Sequence, residues 1–253
     1  MLAQTDRKGQ RGENIPRPLT IQPPPARIYH PGETFQFGFG LVGEAEKLLP
    51  YLLQGGIQMG KVGIGTGKGR FELVNIEEHD VLLNAYRPLL DGQRVKSPRM
   101  QMTTSRVLAE TPSDINNICI HLRTPTRLIQ GGKLLKHIDP VVFIARLVER
   151  CQQLTTYYSR TSVDVTQWKA AYLNLTEQAK SLIVTDNQTK WAEVVSGSRR
   201  KQGITPISGL IGTFTLKGDL NDFYPWLLWG QSLHIGKDAV KGNGQYLIRH
   251  GEA

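Results

Sequence analysis

The chain has 253 residues, with 31 Lys or Arg against 22 Asp or Glu, so it carries a formal charge of +9 and a pI near 9.6. Apolar residues at 39% and charged residues at 21% suit one large domain or two small ones and exclude wholesale disorder. No run approaches the roughly 18 apolar residues of a membrane span, the polar start MLAQTDRKGQRGEN is unlike a secretory signal, and two cysteines, Cys119 and Cys151, cannot form a disulfide framework or a CxxC metal pair. A cytoplasmic location, no membrane partner and two reduced, buried thiols are therefore expected.

Residues 1–34 hold prolines at 16, 18, 23, 24, 25 and 31 among basic side chains and read as an extended arm. Phe35, Phe37, Phe39 and Leu41 then recur at every second position, the period of a strand with one buried face. The next segment, 44–58, predicts a helix with Glu44 and Glu46 in its first turn, where the helix dipole favours anions. The loop GKVGIGTGKGR follows at 60–70, and FELVNI at 71–76 reads as a strand. Residues 84–106, with Arg87, Arg94, Lys96, Arg99 and Arg106 against Asp91, are expected to form a basic linker without regular structure. ICIHLRTP at 118–125 reads as a strand, and Asp139 with Pro140 opens a helix reaching about Tyr158, whose apolar face is Phe143, Leu147, Cys151, Leu154 and Tyr158. A helix over 165–182 and a strand near WAEVVS complete this half. GTFTLKGD, LNDFYPWLLWGQ, HIGKDAVKGNG and QYLIRH then read as strand, helix, glycine loop and strand.

That last succession repeats the one at 35–76. A gapless shift of 175 positions pairs Phe39 with Phe214, Leu41 with Leu216, Gly43 with Gly218, Pro50 with Pro225, Leu52 with Leu227 and Leu53 with Leu228. Gly55, Gly67 and Gly69 likewise fall on Gly230, Gly242 and Gly244, which argues for duplication. A strand, helix, strand unit cannot bury its sheet face alone, whereas two build a ferredoxin-like βαββαβ domain. The expected fold is α+β: tandem ferredoxin-like, RRM-like domains with glycine-rich loops, a Pro-rich arm at 1–34, a partial first domain with its linker at 35–115, and a second domain at 116–253. The leading half of the first domain is expected to be missing.

Clustered glycines allow backbone N–H groups to converge on an anion. Lys61, Lys68 and Arg70 accompany the first loop, and His234, Lys237 and Lys241 the second. A nucleotide P-loop is excluded: Val62 stands where its first glycine belongs, Gly69 replaces its Ser/Thr, and the loop follows a helix instead of opening one. A dinucleotide fingerprint fails on the same order of elements. Single-stranded RNA is the ligand class that suits a basic ferredoxin-like sheet, while plain tight turns are the alternative for either loop. His121 and Arg123 share one strand face and would contact RNA if that face is open, or be ordinary polar residues if a helix covers it. Arg199, Arg200 and Lys201 suit bidentate phosphate contacts, with a solvated charged turn as the alternative. No His, Cys, Asp and Glu cluster has metal-ligand spacing, so no metal or other cofactor is expected.

The stretch GLIGTFTLKGDLNDFYPWLLWGQSLHIGKDAVKGNGQYLI resembles the C-terminal signature of the CRISPR repeat-processing endoribonucleases of the RAMP superfamily. PRPLTIQPP, YHPGETFQFGFGLVGEAEKLLPYLLQGG, GIGTGKGRFEL and HLRTPTRLIQGGKL resemble their preceding regions. The resemblance implies binding of CRISPR repeat or guide RNA, other CRISPR effector subunits as further partners, and metal-independent cleavage in which a ribose 2′-hydroxyl attacks the adjacent phosphate. His234, in the family's His-x-Gly-Lys motif, and Lys237 are the expected catalytic pair; a histidine that caps helix carbonyls is the alternative. RNA contacts are expected from Lys61, Lys68, Arg70, His121, Arg123, Arg199, Arg200, Lys201 and Lys241. Relatives generally have a longer N-terminal region, where some carry the catalytic histidine. A non-catalytic RNA-binding scaffold subunit is accordingly the alternative function.

Overall fold

The computed structural model describes residues 15–65, 67–91, 94–160, 164–198 and 203–249. The Pro-rich arm is extended, as its composition predicts, and it is docked. Leu19–Gln22 (β1) pairs antiparallel with Gly38–Leu41 (β2), and the buried Thr20 hydroxyl donates to the Ser232 carbonyl at 2.9 Å. Only the end of the alternating Phe segment joins this ladder; Phe35 and Phe37 instead pack against Phe71, with ring centroids 5.1 and 6.0 Å away. A 3-10 turn at Gly43–Leu48 leads into Leu49–Val62 (α1), which has Pro50 in its first turn. Residues 71–76 do not form the expected strand. They do not join the β1–β2 sheet; Phe71 instead donates its N–H to the Gly60 carbonyl near the end of α1.

The basic linker is ordered, contrary to expectation. Ala85–Pro88 (β4) pairs with Glu77–Asp80 (β3) just ahead of it, Leu90–Asp91 (β5) pairs with Arg94–Val95 (β6) inside it, and Thr104–Ala109 (α2) begins at its end. Two buried carboxylates organise it. Glu78 accepts from Arg87 and Asp80 from Arg106, each at 2.5 Å, so these two arginines are held by the fold and do not form a mobile cationic tether.

From residue 117 the sequence pattern and the structure agree closely. Asn117–Thr126 (β7) is followed by a short hairpin of Ile129–Gln130 (β8) and Lys133–Leu134 (β9), then by Pro140–Tyr158 (α3) and Val165–Gln178 (α4). The Asp139 carboxylate caps α3, accepting from the Val142 N–H at 3.0 Å, and Pro140 occupies the first turn where no N–H partner is needed. Ile183–Thr185 (β10) and Lys190–Ala192 (β11) lie on one edge of Gly209–Lys217 (β14), separated in sequence by the hairpin Val195–Ser198 (β12) and Gly203–Pro206 (β13). Tyr224–Leu233 (α5) leads back to Tyr246–Arg249 (β15). The sheet runs β10/β11, β14, β7, β15, all antiparallel. Counted as four successive strands this is order 2-3-1-4, the ferredoxin-like arrangement.

One face of this sheet is the core. Ile118, Ile120 and Leu122 of β7 and Phe214 and Leu216 of β14 are buried with Phe143, Leu147 and Leu154 of α3 and Leu227 of α5. The duplication is visible in register: α1 starts at Leu49 and α5 at Tyr224, 224 − 49 = 175 positions apart, each with proline as the next residue. Their surroundings differ. A Cβ at Gly230 would lie 2.1 Å from the Tyr246 hydroxyl, whereas at Gly55 it would meet nothing. In place of a four-stranded sheet, the described part of the N-terminal unit has the β1–β2 ladder, and α1 lies against Phe37 and Phe71 at its glycines Gly56 and Gly60. No described helix is long and apolar enough to cross a membrane.

Candidate nucleic-acid interface

The second glycine loop is a packing device. A Cβ at Gly244 would stand 1.9 Å from the Ile235 carbonyl, one at Gly236 2.3 Å from the Arg127 carbonyl, and one at Gly242 2.9 Å from Pro23 of the docked arm. All three glycines have positive φ, from +75° to +97°. The loop amides do not converge on an anion, because they are already committed. Ile235 donates to Gly244 at 2.9 Å, Lys237 to Arg127 at 3.3 Å, Gly242 to Ala239 at 3.0 Å and Gly244 to Pro125 at 3.1 Å.

His234 faces into this packing and is fully buried. Its Nδ1 is 3.1 Å from the Asn243 carbonyl, which can only accept, so Nδ1 carries the proton; Nε2 is sequestered without a protein partner. Burial pushes the imidazole pKa down to about 4, with Arg150 adding repulsion, although the bond to Asn243 works the other way. Lys237 is exposed while the His234 ring sits inside the loop, so the two expected catalytic residues do not share one accessible surface. Lys241 is also exposed, but its Nζ is 3.0 Å from Asp238, which Arg127 approaches at 3.8 Å from another side.

The first glycine loop is packed at its base, where a Cβ at Gly60 would lie 2.2 Å from the Phe71 carbonyl and one at Gly63 2.1 Å from the Lys68 carbonyl, and is open at its tip. Ile64 and Gly69 exchange two backbone hydrogen bonds of 2.9 Å, closing a small hairpin beyond α1. Around Gly65 and Gly67 a Cβ would meet nothing within 4 Å. Lys61, Lys68 and Arg70 are all exposed, and none enters an ion pair among the described residues.

The outer face of the four-stranded sheet is partly accessible: Arg123 and Arg249 are exposed, Cys119, His121 and Thr213 are half-buried, and Thr215 is buried. Helices α3 and α5 occupy the opposite, apolar face. Register places Thr213 and Leu247 on either side of His121, and Thr215 and Arg249 on either side of Cys119. Directly opposed antiparallel residues project to the same side, so Cys119, His121, Arg123, Thr213 and Arg249 share this face. No Asp or Glu occurs in any of its strands. His121 is half-buried, and its pKa is lowered by desolvation first and then by the charges of Arg249 and Arg123. Cys119 is half-buried here, which corrects the expectation of two buried thiols; Cys151 is buried as expected and its thiol is pushed up to about 12.

Arg249 escaped the sequence reading. It is 249 − 121 = 128 residues from His121, and only the β7–β15 register joins them. The alternation of Tyr246, Ile248 against Leu247, Arg249 was the available signal. Arg199, Arg200 and Lys201 lie outside the described residues, between β12 and β13. Among the described residues no group of three or more His, Cys, Asp and Glu could hold a metal ion.

No curated protein matches the chain by sequence. Among solved structures, a Cas6 product complex superposes with a TM-score of 0.57 at 15% identity, over 94% of this chain and 83% of that one. Thermus thermophilus Cas6 gives 0.52 at 16% identity, over 92% and 79%. A Cas6-RT-Cas1–Cas2 complex gives 0.59 at 16% identity, over 92% of this chain and 24% of the longer chain. These likenesses establish the shared fold. A family model described as an N-terminal domain matches residues 2–102. The model of CRISPR-associated endoribonuclease Cas6 matches residues 120–246, from the second strand residue that faces the core to the first residue of β15, just over half of the chain. The match spans most of the ferredoxin-like sheet, and the chain belongs to the CRISPR-associated endoribonuclease Cas6 family.

Proposed function

We propose that this protein binds CRISPR repeat RNA across the outer sheet face and the first glycine hairpin and cleaves the precursor transcript, without a metal ion, by attack of a ribose 2′-hydroxyl on the adjacent phosphate. The observation that carries the reading is the acid-free sheet face bearing His121, Arg123 and Arg249 in a chain of the Cas6 family. Guanidinium groups suit the bidentate contacts that hold a phosphate, and stabilising the charge that develops on it is the largest catalytic contribution to be sought here. Lys61, Lys68 and Arg70, which are exposed, are proposed as further phosphate contacts, as are Lys237 and Lys241 at the second loop and Arg199, Arg200 and Lys201, which lie outside the described residues. His234 is assigned to the fold.

The burial of His234 also favours a second reading, a non-catalytic RNA-binding scaffold subunit of a CRISPR ribonucleoprotein. Incubation of the protein with its own repeat RNA in excess EDTA distinguishes the two. Discrete fragments ending in a cyclic phosphate are expected; binding without cleavage supports the subunit reading, and cleavage that requires added metal refutes the mechanism.

A further inference from the structure

With His234 inside the second loop, the reaction proposed above needs another proton acceptor. We propose that His121 accepts the proton of the attacking 2′-hydroxyl and that Arg123 and Arg249 grip the scissile phosphate on either side of it. This rests on the RNA reading and assigns its chemistry to particular atoms.

The placement comes from sheet register. Along β7 the outward residues run Cys119, His121, Arg123, and Arg249 stands opposite Cys119 on β15. The imidazole therefore has one guanidinium two residues along its own strand and another on the diagonal across the ladder, at the opposite end. Diagonal neighbours in antiparallel sheets are about 7–8 Å apart at the backbone, which two arginine side chains readily span to meet one phosphate. The groups facing His121 are Cys119 and Arg123 from its own strand, Thr213 from β14, and Leu247 and Arg249 from β15; no carboxylate competes for the arginines on the strands of this sheet. Nδ1 of His121 is buried without a partner among the described residues, so the ligand is assigned to Nε2.

Desolvation and the two arginines keep this imidazole neutral at neutral pH, the form that takes a proton. In the step itself, Nε2 takes the 2′-hydroxyl proton, the O2′–P bond forms and the P–O5′ bond breaks. The departing 5′-oxygen takes a proton from water or from the imidazolium, giving a 2′,3′-cyclic phosphate and a 5′-hydroxyl. No oxidant, reductant or metal enters the balance.

The test uses the full chain, its repeat RNA, and a copy of that RNA with 2′-deoxyribose at the mapped cut site. His121→Gln is expected to bind the deoxy copy within about threefold of wild type but to cut under single turnover about 10²–10⁴-fold more slowly, the usual worth of a general base. Free imidazole is expected to restore part of the rate of His121→Ala. Wild-type cleavage should rise with pH through a midpoint below 6.5 and then level off. A His121→Gln rate within threefold of wild type, with binding intact, overturns the assignment and leaves the RNA reading standing. A wild-type profile lacking the acid limb overturns it too, without depending on how any variant folds. Wild-type protein that does not bind the repeat overturns the underlying reading instead.

Discussion

Replacing Lys61, Lys68 and Arg70 with alanine removes three exposed cations that have no acidic partner among the described residues. If each neutralises one RNA phosphate, each contributes about 0.7 to the slope of log affinity against log salt for a single strand, so the triple variant should lower that slope by about 2. Across a fourfold rise in salt, from about 50 to about 200 mM, wild-type affinity should then fall roughly 20-fold more than that of the variant. The alanines sit on the surface, where substitutions usually stay within about 0.5 kcal/mol, so thermal melting should be unchanged. The second loop supplies the internal comparison. Lys241 already faces Asp238 at 3.0 Å, so Lys237→Ala with Lys241→Ala should lower the slope by only about 0.7. Fluorescence anisotropy of labelled repeat RNA over a salt series measures both slopes. An unchanged slope in the triple variant, or a larger drop in the double variant, would refute the reasoning that exposure and missing counter-charges select the first loop.

Three further outcomes follow from the interior and the sheet face. Because His234 titrates near 4 when folded against about 6.5 when unfolded, the unfolded chain binds the extra proton; the stability this contributes is present above pH 6.5 and fades as pH falls toward 4, by up to about 3 kcal/mol. Urea melts of wild type and His234→Gln at several pH values should show the variant losing less stability on acidification, and parallel curves would sink the assignment. Gly244→Ala forces a Cβ to within 1.9 Å of the Ile235 carbonyl at a φ of +75° and should cost at least about 2 kcal/mol, whereas Gly67→Ala, with open space around it, should change melting little. Finally, a maleimide should label Cys119 on the native protein and leave Cys151 untouched until unfolding; bound RNA should protect Cys119, and full labelling at saturating RNA would place the RNA elsewhere.

What could be read without coordinates was whatever is encoded within a few residues. The alternation over 118–125 is the central strand, because a sheet with one buried face imposes period two, and Asp139–Pro140 marks the start of α3, because a carboxylate and a missing N–H solve the same problem of unpaired helix amides. The 175-residue repeat was legible for the same reason and reappears in the matched starts of α1 and α5. FELVNI shows the limit of such signals. It has strand composition, but a strand also needs a partner ladder, and here the Phe71 N–H is taken by the end of α1.

Tertiary structure decided the site. A glycine without Cβ serves equally for an open anion cradle and for backbone packed against backbone, and nothing local separates the two; Gly65 and Gly67 face open space while Gly236 and Gly244 lie against carbonyls. The same holds for His234, whose motif position suggested chemistry and whose surroundings bury it. His121 was identifiable as a face residue, but its arginine neighbour from β15 belongs to it only through a register formed across 128 positions. Local pattern determines which elements form because their backbone and burial needs are met nearby. Which of their side chains meet around a phosphate depends on long-range pairing, and that is a property of the folded sheet alone.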